Sequence, residues 1–190
     1  MRSRRDDLIE TALKLFYTGG FNATGIDKIL AESGVAKMTL YKHFGSKDEL
    51  ILAVLKRRDE QFRGWLSGEM AKAGPSPKAQ LLRMFDALEI WFSGNAFPGL
   101  GFSGCAFINA AGEVSDPAHP AHQIAAEHKE MLVRQFAELC AKAGAADPAS
   151  LAEEIALLKE GAIATAHVRN KPEAAMIAKA MAERLLADLD

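Results

Sequence analysis

The stretch GVAKMTLYKHFGSKDEL, residues 34 to 50, constrains the fold more than any other part of the chain. Two glycines, Gly34 and Gly45, bound a segment too short to be a stable helix by itself, because isolated helices need roughly 12–15 residues. Immediately behind it, Ser46-Lys47-Asp48-Glu49 has the Ser-x-x-Glu spacing of a capping box, which opens a new helix. A chain written this way must hold a very short helix from outside and show one face of it. Val35, Leu40 and Phe44 are the natural anchors, leaving Lys37, Met38, Thr39 and Lys42 to face outward.

The preceding residues supply the support. DDLIETALKLFYTGG sets Leu8, Ile9, Ala12, Leu15 and Phe16 on one helical face and stops at Gly19-Gly20. TGIDKILAESG reads as a second helix, with Thr24 expected to cap it, Asp27 three residues on, and Ile26, Ile29 and Leu30 as its apolar face. Three helices packed around Phe16, Phe21, Ile29, Leu40 and Phe44 predict a helix-turn-helix whose third member enters a major groove. Charge points the same way. Residues 1–47 hold eight Lys/Arg against five acids, a net +3; the whole chain carries −2, so the remainder carries −5. A basic head on an acidic body suits a polyanion at the head alone.

Residues 8 to 52 resemble the DNA-binding head of the TetR family of bacterial transcriptional regulators. The resemblance is carried by Phe21-x-Ala23-Thr24, Ile26-x-x-Ile29, Gly34-Val35-Ala36-Lys37-x-Thr39-Leu40-Tyr41 and His43-Phe44-x-Ser46-Lys47-x-x-Leu50. GCAFINAAGE at 104–113 also resembles a segment of some members' regulatory domains. The resemblance implies a homodimer on a pseudo-palindromic operator in double-stranded DNA, released by a small molecule bound in the larger domain. Carried over by position, Lys37, Met38, Thr39 and Lys42 approach base edges, while Thr24, Tyr41, His43 and Lys47 hold phosphates. Arg2, Arg4 and Arg5 are either a flexible arm reaching the DNA or a solvated tail. Ala36 stands where many members have serine, so the third helix is expected to lack a side-chain cap.

Helical periodicity continues to the end of the chain, so the expected class is all-α: a three-helix head over 1–47 and a larger ligand-binding and dimerisation domain over 48–190. Trp65, Phe85, Trp91, Phe92, Phe102, Phe107 and Met131, with Met84, Phe97 and Phe136, are either ordinary core or the lining of an apolar cavity. As a set beside the glycine-rich loop NAFPGLGFSG they favour a cavity, and with it a small apolar or aromatic effector. In the last two helices Leu151, Ile155, Leu158, Ala162, Ile177, Met181 and Leu185 alternate with small residues. That pattern suits a four-helix interface between two subunits as well as packing within one, and the interface is favoured.

Other chemistries find little support. His119 and His122, with His128 beyond, are spaced loosely for a metal and read better as helix-start surface histidines. Cys105 reads better as a small buried hydrophobe than as a thiol sensor, and Cys105 and Cys140 together form no disulfide framework. No phosphate-cradling glycine loop or nucleophile elbow is present, and no cofactor is expected; an enzyme is a remote reading. Without a signal-peptide pattern or a membrane-length apolar run, the expected location is the cytoplasm. The sequence therefore predicts a ligand-responsive DNA-binding regulator, most plainly a repressor. A metal- or thiol-responsive sensor on the same fold, and a constitutive DNA-binding protein without effector, remain as alternatives.

Overall fold

The computed structural model describes residues 3–189. Every regular element among them is helical: α1 (Arg4–Gly19), α2 (Ile26–Ser33), α3 (Lys37–His43), α4 (Lys47–Ala71), α5 (Pro77–Phe92), α6 (Ala106–Glu113), α7 (Pro120–Lys142), α8 (Pro148–Arg169) and α9 (Ala174–Leu185). The chain packs into two compact units. One comprises the residues up to Gln61 with Cys105–His128, the other Phe62–Gly104 with the residues from Lys129 on. None of the described helices is long and apolar enough to cross a membrane.

In the first unit the expected core is in place. Phe16, Phe21, Ile29, Leu40 and Phe44 are all buried, and the Phe16 and Phe21 rings stack with centroids 5.3 Å apart. α1 begins one turn earlier than its apolar face suggests, because the Ser3 hydroxyl accepts the Asp6 amide and caps it. Arg4 and Arg5 are therefore helical, not a flexible arm. Arg5 lies over the Phe44 ring at 5.3 Å and Arg4 faces Asp7 at 3.8 Å, one turn on; Arg2 lies outside the described residues. From α4, Arg57 reaches both Asp6 and Glu10 at 2.8 Å, tying that helix to α1. The Ser3 hydroxyl, then the Arg57 guanidinium, hold the Asp6 carboxyl below the usual carboxylate range. Deeper in α4, Arg58 is almost wholly buried with its guanidinium over the Tyr17 ring at 5.6 Å, and burial pulls its proton affinity down.

The caps differ from expectation at α2. Its N-cap is Gly25 and no side chain caps it; Thr24 instead turns inward, 2% exposed, and its hydroxyl donates to the Leu15 carbonyl at 3.2 Å. Gly34, with φ +64°, ends α2 in the left-handed conformation that lets the chain turn directly into α3. α4 opens with the expected box: the Glu49 amide donates to Ser46 Oγ at 3.2 Å, and the Glu49 carboxylate takes the Gly45 amide at 2.8 Å.

In the second unit α5, α8 and α9 pack on one another around Leu81, Met84, Phe85, Leu88, Trp91, Ile155 and Ile163. Ser76 caps α5 with Pro77 in its first turn, and Asp147 caps α8 with Pro148 likewise. Lys179 of α9 pairs with Asp86 of α5 at 2.7 Å. Burial opposes ionisation of Glu160, but Lys159 and Lys129 outweigh it and hold that carboxyl below its ordinary value.

Ala36 occupies the N-cap position of α3 with extended backbone, φ −64° and ψ 143°, and makes no side-chain cap bond. Ala36→Ser is expected to stabilise the protein by about 0.5–2 kcal/mol. The check is a rise in the urea midpoint with an unchanged denaturant slope.

Candidate nucleic-acid interface

α3 is seven residues long, and Leu40 is the only one of them buried. With that side chain turned inward, Lys37, Met38, Tyr41, Lys42 and His43 are all exposed. Met38 is 83% exposed and Tyr41 is 48% exposed. Thr39 is half-buried at the edge of this face. No acid lies within α3, and Lys42 and His43 occupy its last turn, where positive charge suits the helix dipole. The first turns of α2 and α3 both lack a side-chain cap, although the Thr39 amide already donates to the Ala36 carbonyl at 2.9 Å.

Two expected phosphate ligands are differently placed. The Thr24 side chain is buried and spends its hydroxyl on Leu15, so it does not reach out to a backbone phosphate. Lys47, half-buried, donates from Nζ to the Asn22 carbonyl at 3.1 Å and lies 5.9 Å from the Phe16 ring centroid. It braces the turn between α1 and α2.

The aromatic residues divide between the units. In the second, Phe62, Trp65, Trp91, Phe92, Phe97 and Phe102 form a continuous ring cluster, with Trp91 edge-on to Phe62 at 4.8 Å and to Phe102 at 5.1 Å. Trp91 is almost wholly buried and its indole Nε1 has no hydrogen-bond partner. His167, for which the sequence offers no role, sets its ring against Phe102 at 6.0 Å. Phe85 is buried in α5 and Met131 is half-buried on α7. Phe107 belongs to the first unit and is committed elsewhere, its ring stacked on His128 at 3.7 Å. His128 is thus not a surface histidine; it is 2% exposed, with Nδ1 2.7 Å from Asp59 Oδ1 of α4. His119 Nδ1 accepts the Ala121 amide at 3.1 Å, and His122 Nδ1 lies 3.1 Å from the Val114 carbonyl oxygen. Among the described residues no three His, Cys, Asp or Glu side chains gather as a metal set.

α8 and α9 carry a large apolar face. Leu157, Val168, Met176, Ile177, Met181 and Leu185 are exposed, beside a groove of about 320 Å³ lined by Leu158, Gly161, Ala162, Ile177, Ala178 and Met181. Of the residues expected here, Ile155 is 0% exposed and spent on the unit's own core, while Ala162, 4% exposed, lies in the floor of the groove. Leu151 and Leu158 are half-buried. The sequence misses Leu157, although it lies two positions from Ile155 and so on another side of the helix.

The family description "Bacterial regulatory proteins, tetR family" matches residues 8–54, the span that builds this head. Over 98% of its length the chain is 31% identical to SCO4454, a TetR-family transcriptional regulator from Streptomyces coelicolor; it covers 95% of that protein and superposes with a TM-score of 0.87. The chain belongs to the TetR family. Among curated relatives it is 26% identical to the HTH-type transcriptional regulator YjdC of Escherichia coli over 96% of this chain and 93% of that one. It is 28% identical to the E. coli HTH-type transcriptional repressor ComR over 70% of this chain and 62% of that one. This TetR-family protein is thus a DNA-binding transcriptional regulator with a helix-turn-helix head.

The exposed face of α3 generates a test. Replacing Lys37 or Thr39 is expected to change which base is preferred at a given operator position, each good contact being worth about 1–3 kcal/mol of discrimination. Replacing Tyr41 or His43 is expected to weaken binding to all duplexes alike. Titrations against a panel of single-base operator variants at several salt concentrations separate the two groups.

Proposed function

We propose that the protein is a homodimeric repressor that leaves a pseudo-palindromic operator when a small apolar or aromatic effector binds. The observation that carries this reading is the exposed apolar face of α8 and α9. Leu157 is 75% and Ile177 61% exposed, on a surface rich in alanine and glycine where helices can approach closely. Apolar patches of this kind mark association sites, and a two-fold interface uses the same patch from both subunits. Two copies joined there present two α3 helices, which suits half-sites one duplex turn, about 34–36 Å, apart.

In this reading residues 1–47 are the DNA-binding domain and residues 48–190 hold the effector and the dimer. Lys37, Met38, Thr39 and Lys42 face the bases. Tyr41, His43 and the first turns of α2 and α3 hold phosphates, with Lys47 acting through the α1–α2 turn. The effector sits among Trp65, Trp91, Phe92 and Phe102, and the partnerless indole N–H of Trp91 supports an effector with a hydrogen-bond acceptor among its apolar groups. The likeness to ComR, a repressor, supports repression.

The decisive experiment is selection from random duplex DNA by the purified protein, followed by an aromatic-compound screen for release of the recovered duplex. A two-fold motif with half-sites one turn apart, released by a compound that quenches tryptophan fluorescence, is expected; an asymmetric motif excludes the dimeric reading, and a screen without release excludes an effector of this class. Ile177→Glu with Met181→Glu is expected to give a folded monomer by sedimentation velocity. Its operator affinity should fall by at least tenfold, about 1.4 kcal/mol.

A further inference from the structure

Residues 104–113, GCAFINAAGE, end in a carboxylate that the function derived above leaves without a role. Glu113 is the last residue of α6, where a negative charge opposes the helix's own dipole, so α6 gains nothing from it there. Its partners lie on the turn between α1 and α2. Glu113 Oε1 accepts the Phe21 amide at 2.9 Å and Oε2 accepts the Asn22 amide at 2.6 Å, while the Asn22 side-chain amide donates to the Glu113 carbonyl at 3.3 Å. Two successive backbone N–H groups thus converge on one carboxylate, an arrangement of charge-assisted bonds. Gly20 makes the approach possible. Its φ is +88°, and a Cβ there would come within 3.3 Å of Glu113 Oε1.

The same turn is gripped from its other side. Lys47, the first residue of α4, donates to the Asn22 carbonyl, so the Asn22 backbone is fixed through its N–H by α6 and through its C=O by α4. At its opposite end α6 is anchored by Phe107 on His128, and His128 in turn bonds Asp59 of α4. All of these residues lie in the first unit. The turn feeds directly into α2, and α2 into α3.

We infer that Glu113 is a positioning residue for DNA binding: by holding the Phe21 and Asn22 amides it fixes the orientation of the helix-turn-helix on α6, without touching DNA. The inference rests on the two-headed reading of the operator complex. A head that merely needs Glu113 to stay folded loses affinity for any DNA. A head that needs it for orientation loses affinity only where two heads must fit one duplex together.

The test uses the full-length protein, the duplex recovered by random selection, and a duplex holding one half-site. Glu113→Ala removes both acceptors; Glu113→Gln keeps the shape, loses the charge and leaves one amide facing an NH₂ group. For Glu113→Ala, affinity for the full operator is expected to fall about tenfold or more, while single half-site affinity stays within about twofold. Glu113→Gln should fall between Glu113→Ala and the native protein. Amide exchange at Phe21 and Asn22, followed by NMR, should accelerate in both variants while Leu40 of α3 stays protected. A parallel fall on full and half-site duplexes, or unchanged affinity for both, overturns the inference. If the native protein selects no two-half motif, the dimeric reading fails, and amide exchange decides the contact by itself: unchanged exchange at Phe21 and Asn22 overturns it.

Discussion

α3 is held by a single fully buried side chain, Leu40, flanked by Val35 before the helix and Phe44 after it. Seven residues cannot sustain a helix in water, so its existence depends on the socket that α1 and α2 provide. That one constraint explains much of the first unit. The aromatic pair Phe16 and Phe21 builds the socket floor, Gly34 allows the turn into it, and Ser46 with Glu49 starts a new helix as soon as the chain leaves it. Because only one residue in seven faces inward, the remainder are available to DNA, and losing a little support from within costs little recognition surface.

The helices and their stops were legible because each boundary is written in local chemistry: Ser76-Pro77, Asp147-Pro148, Gly34 and Ser46 act on their own neighbours. The outward face of α3 was legible for the same reason, since a short amphipathic period leaves few choices. What escaped depends on partners distant in sequence. Thr24 has the right residue type and spacing for a cap, but burial against α1 gives its hydroxyl a better acceptor at Leu15. His128 looks like a solvated helix histidine until Phe107 and Asp59 are seen to enclose it. Arg5 resembles an arm residue, but the Ser3 cap extends α1 to include it.

The apolar surface divides in an informative way. Phe85 and Ile155 are wholly spent on the second unit's core, whereas Leu157, Ile177 and Met181 remain exposed. Sequence pattern alone did not separate Ile155 from Leu157, because α8 is apolar or small on most of its circumference: Ala152, Ala156, Ala162 and Ala166 are buried around it. A helix without a strong polar face can be core on one side and interface on another. The exposed set marks the side left free for the interface proposed above.

In the reading proposed above, effector binding changes head position, and the energy involved sets which contacts are relevant. A tenfold change in DNA affinity corresponds to about 1.4 kcal/mol of coupling. A hydrogen bond to a charged group contributes about 1.5–3 kcal/mol, so loss of a single one of the two amide bonds to Glu113 already covers that amount. The ion pairs of Arg57 with Asp6 and Glu10 are half-exposed, and screening leaves pairs of that kind near the lower end of their range. The packing of Leu40 lies at the other extreme; removing it would unfold the head before it could reorient it. Between a contact too weak to matter and one too strong to release, the carboxylate at the end of α6 has an intermediate energy, and it acts on the turn through which α1 leads into α2 and α3.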